Sequence, residues 1–193
     1  MTASGPISLS LAENVRFLQD TFGTSTDFYS KPLNIGGIDC RIVLFTGLSS
    51  PEKLTVMMLS ILSQEREAFA DGPALVRHLL RESLIPTEST PITTREEMIE
   101  RLANGLTLLL IEGCPVALTV SSQEMPQRSV SEPDGEGNMY GPQEAFTEQL
   151  RTNISLLRRQ FRTGTLVVER HDAHNHARTE YCLCYDRARA PAD

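Results

Sequence analysis

The 193-residue chain has no tryptophan, and aromatic residues make up only 6% of it. Its core therefore has to be built mainly from Leu, Ile, Val and Phe. Basic residues are also few, since 18 Lys and Arg stand against 25 Asp and Glu and the formal net charge is −7. Because phosphate contacts require clustered Lys and Arg, this balance argues against a nucleic-acid partner.

Long apolar runs are missing as well. The longest, Leu106–Ile111 and Val116–Val120, have the length of strands, whereas a membrane helix needs roughly 20 apolar residues. The chain as given is therefore not expected to span a bilayer. Its start, MTASGPISLS, has neither the basic nor the apolar part of a secretory signal. We therefore expect the four cysteines to be reduced thiols in a cytosolic compartment.

Histidine and cysteine are the residues that could form a metal site. His171, His174 and His176 precede Cys182 and Cys184, and imidazole and thiolate are both zinc ligands. However, the spacings H-x2-H-x-H and C-x-C are not those of standard zinc sites, and side chains two apart on a strand share one face, where cysteine packs as a small hydrophobe. We therefore predict no metal and no cofactor, and a zinc or thiol enzyme is the least favoured alternative.

Two further motifs are too weak to indicate catalysis or nucleotide binding. Cys114 has no surrounding pattern typical of an activated nucleophile. Gly135 and Gly137 give only G-x-G, without the third glycine or a preceding strand. The sequence therefore predicts no catalytic residue.

Hydrophobic periodicity predicts helices interspersed with paired strands, and hence an α/β fold, a layered sandwich of a mixed β-sheet with helices packed on it. Residues 1–10 are predicted to be a disordered lead, residues 11–186 one domain and residues 187–193 a flexible tail. The predicted helices are Leu11–Phe22, one from Ser50-Pro51 onward, Gly72–Leu84, one from Thr93 or Thr94 to Asn104, and one from Gly141-Pro142 to Arg162. The predicted strands are Phe28–Ile35, Asp39–Thr46, Leu106–Ile111, Pro115–Ser121, Thr165–Arg170 and Thr179–Tyr185, with a hairpin at Gly36-Gly37 and the sheet centre in the third and fourth strands.

The last predicted helix follows a polar segment, residues 123–142, that we interpret as a long exposed loop and a possible lid. Four arginines crowd this helix beside Glu144 and Glu148, and we interpret them as a solvated face and as helix-end charges. Thr147, Thr152 and Asn153 are mediocre helix formers, which predicts specific hydrogen bonds to a neighbouring loop or subunit. The arginines are Arg151, Arg158, Arg159 and Arg162.

The same segment carries a resemblance to a known family. The run R-x-x-x-E-P, followed by G-P-x-E-x-F-T-E-x-L-R-T-N-x-x-L-x-R-R, resembles the N-terminal domain of GerA-type spore germination receptor A subunits and the related stage V sporulation AF proteins. The opening helix and the Gly-x-Ser-x-Asp-Phe segment at residues 23–28 are similar to this family too. The residues that the resemblance marks as interface or structural motif are Arg128, Glu132, Pro133, Gly141, Pro142, Phe146, Thr147, Glu148, Arg151, Thr152, Asn153, Arg158 and Arg159.

The resemblance implies a non-enzymatic receptor domain. Such A subunits assemble with further A copies and with B and C partners in the spore inner membrane, respond to nutrients and open an ion pathway. The chain would be the first soluble subdomain, on the cytosolic side of that membrane, and a second subdomain and membrane spans would follow it. Signalling through subunit contacts is the favoured function, and direct binding of a nutrient molecule is the alternative.

Overall fold

The computed structural model describes residues 4–50, 52–56, 59, 68–81, 89–123, 146–173 and 179–190. In chain order the elements are α1 (Leu11–Phe22), β1 (Phe28–Ile35), β2 (Ile38–Phe45), α2 (Gly72–Arg81), β3 (Thr90–Ile92), α3 (Arg95–Ala103), β4 (Thr107–Ile111), β5 (Ala117–Val120), α4 (Leu150–Gln160), β6 (Leu166–Asp172) and β7 (Glu180–Asp186). Residues 52–56 and 59 are also helical. No helix in these ranges has both the length and the apolar character required to cross a membrane.

Five strands form one sheet in the order β1-β2-β4-β5-β3, and β6 pairs with β7 in a separate two-stranded sheet. The predicted α/β class is confirmed, but every strand pair in the described ranges is antiparallel, so the sheet is antiparallel rather than mixed. The reason is local: β1 turns into β2 at Gly36 and Gly37, which both have positive φ, and β4 turns into β5 at Gly113, also at positive φ. Such tight turns join antiparallel neighbours, whereas parallel strands need a long crossover.

The five-stranded sheet is covered on both faces, and β4 lies at its centre with all five residues buried, as predicted. One face contributes Ile42, Leu44 and Leu109 to a cluster that includes Leu75 and Leu79 of α2. The opposite face contributes residues such as Val43, Phe45 and Leu108 to a second cluster with α1 and α3. Continuous apolar strands are typical of a sheet buried in this way.

Two helix starts are the ones that the sequence predicts. Ser10 caps α1 by accepting a hydrogen bond from the Glu13 amide, which satisfies one of the donors that a helix start leaves free. At α3 the Thr94 hydroxyl accepts from the Glu97 amide and the Glu97 carboxylate accepts from the Thr94 amide, which is a capping box.

Residues 4–10, residues 187–190 and the last helix differ from the prediction. Residues 4–10 are not a disordered lead, since Ile7 is 3% exposed and its amide donates to the Thr93 carbonyl at 2.9 Å. At the other end, the Arg187 amide donates to the Thr165 carbonyl at 2.9 Å. Helix α4 begins at Leu150, so residues 146–149 lie before the helix rather than within it.

Candidate functional site around helix α4

The predicted site residues form two groups. One group lies on α4 or just before it, and the other lies outside the described residues. Phe146, Thr147 and Glu148 precede the helix, so Glu148 does not stabilise the helix start from within. Arg151, Thr152, Asn153, Arg158 and Arg159 lie on α4. The remaining members lie outside the described residues: Arg128, Glu132, Pro133, Gly141 and Pro142.

Asn153 fixes the segment before the helix. Its Oδ1 accepts from the Thr147 amide at 2.7 Å, and its Nδ2 donates to the Thr147 carbonyl at 2.8 Å. The Thr152 hydroxyl donates to Gln149 Oε1 at 3.3 Å. The hydrogen bonds that these polar residues make therefore go to a neighbouring loop, which is one of the two outcomes that their poor helix propensity predicts.

Arg158 lies in the interior, with a side chain that is 1% exposed. Its Nε donates to Asp27 Oδ2 and its Nη2 to Asp27 Oδ1, both at 2.8 Å. Nη2 also donates to the Ser25 hydroxyl at 2.7 Å, and Nη1 donates to the Leu166 carbonyl at 2.9 Å. The guanidinium carbon lies 3.9 Å from the centre of the Phe45 ring, a distance at which cation–π attraction adds to the ion pair.

Ser25 completes this arrangement, which we term the Arg158 clasp (Ser25, Asp27 and Arg158). Its hydroxyl donates to Asp27 Oδ1 at 2.8 Å and accepts from the Val168 amide at 2.9 Å. The Thr26 amide donates to the Val168 carbonyl at 2.8 Å. The clasp therefore ties α4, the segment after α1 and strand β6 together through a charge pair whose polar atoms are hydrogen-bonded, as a buried pair requires.

The interpretation of the arginines as a solvated face is thus wrong for Arg158. One signal in the sequence could have indicated this, because Arg158 follows Leu150 and Ile154 at intervals of four residues and so falls within the apolar stripe. A charged residue in such a stripe needs a buried partner. Asp27 belongs to the Gly-x-Ser-x-Asp-Phe segment, and no pattern in the sequence links it to Arg158.

Helix α4 lies shallowly on the domain surface. Of its residues only Ser155 and Arg158 are buried. Two phenylalanines near its ends are exposed, Phe146 by 66% and Phe161 by 52%. Both lie just outside the helix, one before its start and one after its end, so its apolar stripe does not extend over them.

Arg151 lies between two cavities of about 380 Å³ each, and its Nη2 donates to the Thr46 carbonyl at 2.9 Å. The first cavity is a mainly apolar groove beside β1 and β2. We term it the β1–β2 groove, and it is lined by Tyr29, Lys31, Ile42, Leu44, Thr46, Ser49, Leu54, Thr55, Leu59 and Arg151. The second cavity is more polar and includes Arg170 and Glu180 of the β6–β7 sheet, which form an ion pair.

The candidate metal and thiol residues lie mainly on the β6–β7 sheet. The His171 ring stacks on Tyr181 with ring centres 5.3 Å apart, while His174 and His176 lie outside the described residues. Partial desolvation is the main cause that raises the pKa of Cys182 and of Cys184, although the Cys184 side chain is exposed to solvent. In the described part of the chain, no group of three or more His, Cys, Asp or Glu is placed to hold a metal ion.

Comparison with known proteins identifies the family. The family model described as Bacillus/Clostridium GerA spore germination protein matches residues 16–192. The chain is 28% identical over 182 residues to spore germination protein KA of Bacillus subtilis, covering 93% of this chain and 33% of that protein. It is 23% identical over 163 residues to stage V sporulation protein AF of the same organism, covering 84% and 33%. The chain thus spans about a third of the length of these curated relatives.

A solved structure shares the fold. The crystal structure of the N-terminal domain of the A subunit of the Bacillus megaterium spore germinant receptor GerK3 matches with a TM-score of 0.73 at 19% identity, covering 97% of this chain and 69% of that one. The matched family region includes both the segment around Asp27 and helix α4, the two parts that the Arg158 clasp joins. The chain belongs to the GerA family of spore germination proteins.

Proposed function

We propose that this chain is a non-catalytic domain of a germinant receptor and contributes to spore germination signalling through contacts with neighbouring subunits. The relatives that it matches are named as germination and sporulation proteins, which supports the role in germination. The partners that we propose are further A-subunit copies and the B and C subunits, on the cytosolic side of the spore inner membrane.

The observation that carries this proposal is the way in which α4 is attached. A buried charge pair holds the helix from below, while Phe146 and Phe161 at its two ends remain mostly exposed. Aromatic side chains, Phe among them, are enriched in protein interfaces relative to the rest of the surface. A helix fixed rigidly at one face and flanked by exposed aromatic residues is suited to pass a displacement of a partner on to the domain.

The test uses the intact receptor with Phe146→Ser and Phe161→Ser, singly and together. We expect slower nutrient-triggered germination and weaker co-purification of the other subunits, at unchanged abundance of the altered subunit. The matched control is Leu9→Ser, since Leu9 is 59% exposed and lies beside the β4–β5 turn, away from α4. Normal germination and normal co-purification in the double variant would refute the proposal.

Direct binding of a small molecule is a second candidate function, and the β1–β2 groove supports it. Ligand sites are concave and mostly apolar, with a few polar groups, and their volumes run from about 300 to 1,000 Å³, a range that includes this groove. The test is a thermal-shift screen of amino acids, sugars and simple organic acids, because a ligand that binds the folded state raises the midpoint of unfolding. If no compound raises the midpoint of unfolding, small-molecule binding is refuted and subunit contact is the candidate function that is retained.

A further inference from the structure

The floor of the β1–β2 groove follows from strand register. Tyr29 lies opposite Leu44, and Lys31 lies opposite Ile42 in the antiparallel pair. Because residues two apart on a strand share a face, all four side chains project toward the same side of the sheet. Ile42 and Leu44 supply a buried aliphatic base, and Tyr29 and Lys31 stand at the edge strand.

The wall and the end of the groove come from two other parts of the chain. The wall is formed by Leu54 and Leu59 of the helical segment. The end is formed by Arg151 together with Thr46, whose carbonyl receives one of the guanidinium hydrogen bonds. A guanidinium has five N–H donors, so the single bond that Arg151 makes with the described part of the chain leaves donors that a ligand can use.

The charge of the groove is unusual for this protein. Its described lining includes two cationic side chains, Lys31 and Arg151, and no carboxylate. The whole chain, in contrast, carries a formal net charge of −7. A mostly apolar cavity with positive charge at its rim favours a ligand with a hydrocarbon body and one negative group, because the anion is neutralised only where the cations lie.

We propose that the β1–β2 groove binds a small aliphatic monocarboxylate, and that it prefers the plain acid to the corresponding α-amino acid. An α-ammonium group placed beside the carboxylate would lie near Lys31 and Arg151 without an anionic side chain of the described lining to neutralise it. This proposal rests on the second candidate function and narrows its ligand class. It is independent of the proposed subunit contacts.

The test compares hexanoate with norleucine, which differ only in the α-ammonium group, and uses butyrate and hexanol as further probes. Titrations of the 193-residue chain are followed by amide NMR shifts and by the midpoint of thermal unfolding. We expect saturable binding of hexanoate with shifts at the amides of Tyr29, Lys31 and Thr46. Butyrate should bind about fourfold more weakly for each methylene removed, and norleucine and hexanol should both bind more weakly than hexanoate.

The variants separate the charge from the fold. Arg151→Gln and Lys31→Gln should each weaken hexanoate binding, the first by roughly 10- to 100-fold, since hydrogen bonds to charged groups are the strong ones. Arg16→Gln is the matched control, because Arg16 is an exposed arginine on α1 that faces Asp20. Circular dichroism and thermal melts of each variant show whether it is folded, and Lys31→Gln, on the edge strand, tests the charge without changing α4.

Each outcome has a distinct meaning. Absence of saturable hexanoate binding, or norleucine binding more tightly than hexanoate, overturns the monocarboxylate proposal. Binding of a sugar or another neutral molecule in the same groove also overturns it, while it keeps the second candidate function. Shifts that map away from Tyr29 and Thr46 overturn the assignment of the groove. None of these results changes the expectation for the Phe146 and Phe161 variants.

Discussion

Removal of Asp27 should destabilise the domain strongly, because it leaves the Arg158 guanidinium buried without a counter-charge. The guanidinium is 1% exposed and makes both of its bonds to the carboxylate at 2.8 Å. Breaking a buried pair by deleting one partner costs about 3–5 kcal/mol. We therefore expect Asp27→Ala to lower the free energy of unfolding by that amount.

The expected change is large but measurable. Natural domains are stable by about 5–15 kcal/mol, so the variant should still fold at low temperature. For a chain of this size, 1 kcal/mol corresponds to roughly 2–4 °C in the unfolding midpoint, and the loss is therefore about 6–20 °C. Urea denaturation followed by circular dichroism gives the free energy, and calorimetry gives the midpoint.

A double-mutant cycle distinguishes the ion pair from ordinary packing. Arg158→Met removes the charge and keeps much of the apolar stem, and the double variant with Asp27→Ala contains neither charge. We expect the double variant to be more stable than the sum of the single losses predicts, by about 2 kcal/mol or more. A matched surface pair, Arg16 and Asp20, should give a coupling below about 1 kcal/mol.

Two results would refute this reasoning. Asp27→Ala within about 1 kcal/mol of the parent would show that the guanidinium finds another counter-charge or solvent, in conflict with its burial in the structure. Additive losses in the cycle would show that Asp27 and Arg158 stabilise the fold independently. Either result would also remove the clasp as the feature that fixes α4.

Three further outcomes follow from local contacts. Asn153→Ala removes the two bonds that hold the segment before α4 and should cost about 1–2 kcal/mol in urea denaturation; an unchanged midpoint would contradict this. Hydrogen bonds from the Thr93 amide, the Thr94 hydroxyl and the Thr94 amide, in that order of size, lower the pKa of Glu97. Its stabilisation is therefore complete above the ordinary value of 4.5 and declines as the pH falls toward the lowered pKa. Thermal melts of Glu97→Gln between about pH 3 and pH 7 should lack this part of the pH dependence, and a profile equal to that of the parent would contradict it. Burial raises the pKa of Cys40 to about 12, so Cys184, which is exposed, should react first with a thiol reagent in native protein, and equal rates would show that Cys40 is accessible.

The parts of the fold that the sequence predicts well are those set by neighbours in the chain. The spacing of Leu11, Val15 and Leu18 gives α1 its observed bounds, because one helical face has to be apolar to pack on the sheet. The Gly36-Gly37 pair gives the hairpin, because positive φ at both residues costs little only for glycine. In each case the physical cause acts over fewer than about a dozen residues.

The part that the sequence does not predict is set by contacts between distant residues. Asp27 and Arg158 are separated by 131 positions, and no pattern in a single sequence indicates that they are in contact. The predicted start of α4 is wrong for a different reason. Pro142 and Glu144 are typical of a helix start, whereas Asn153 holds Thr147 in a non-helical segment. These side-chain hydrogen bonds span only six residues, and they outweigh the helix-start pattern there.

The clasp changes what the family motif means for experiments on the receptor. Arg158 and Asp27 both belong to segments that resemble the family, yet their contacts are internal, so loss of either should reduce the amount of folded protein. The opposite result is expected for Phe146 and Phe161. Both are exposed, so their loss should leave the abundance of the folded protein unchanged. A germination defect at Arg158 therefore reports on folding, and only a defect at constant abundance identifies a residue of the signalling surface.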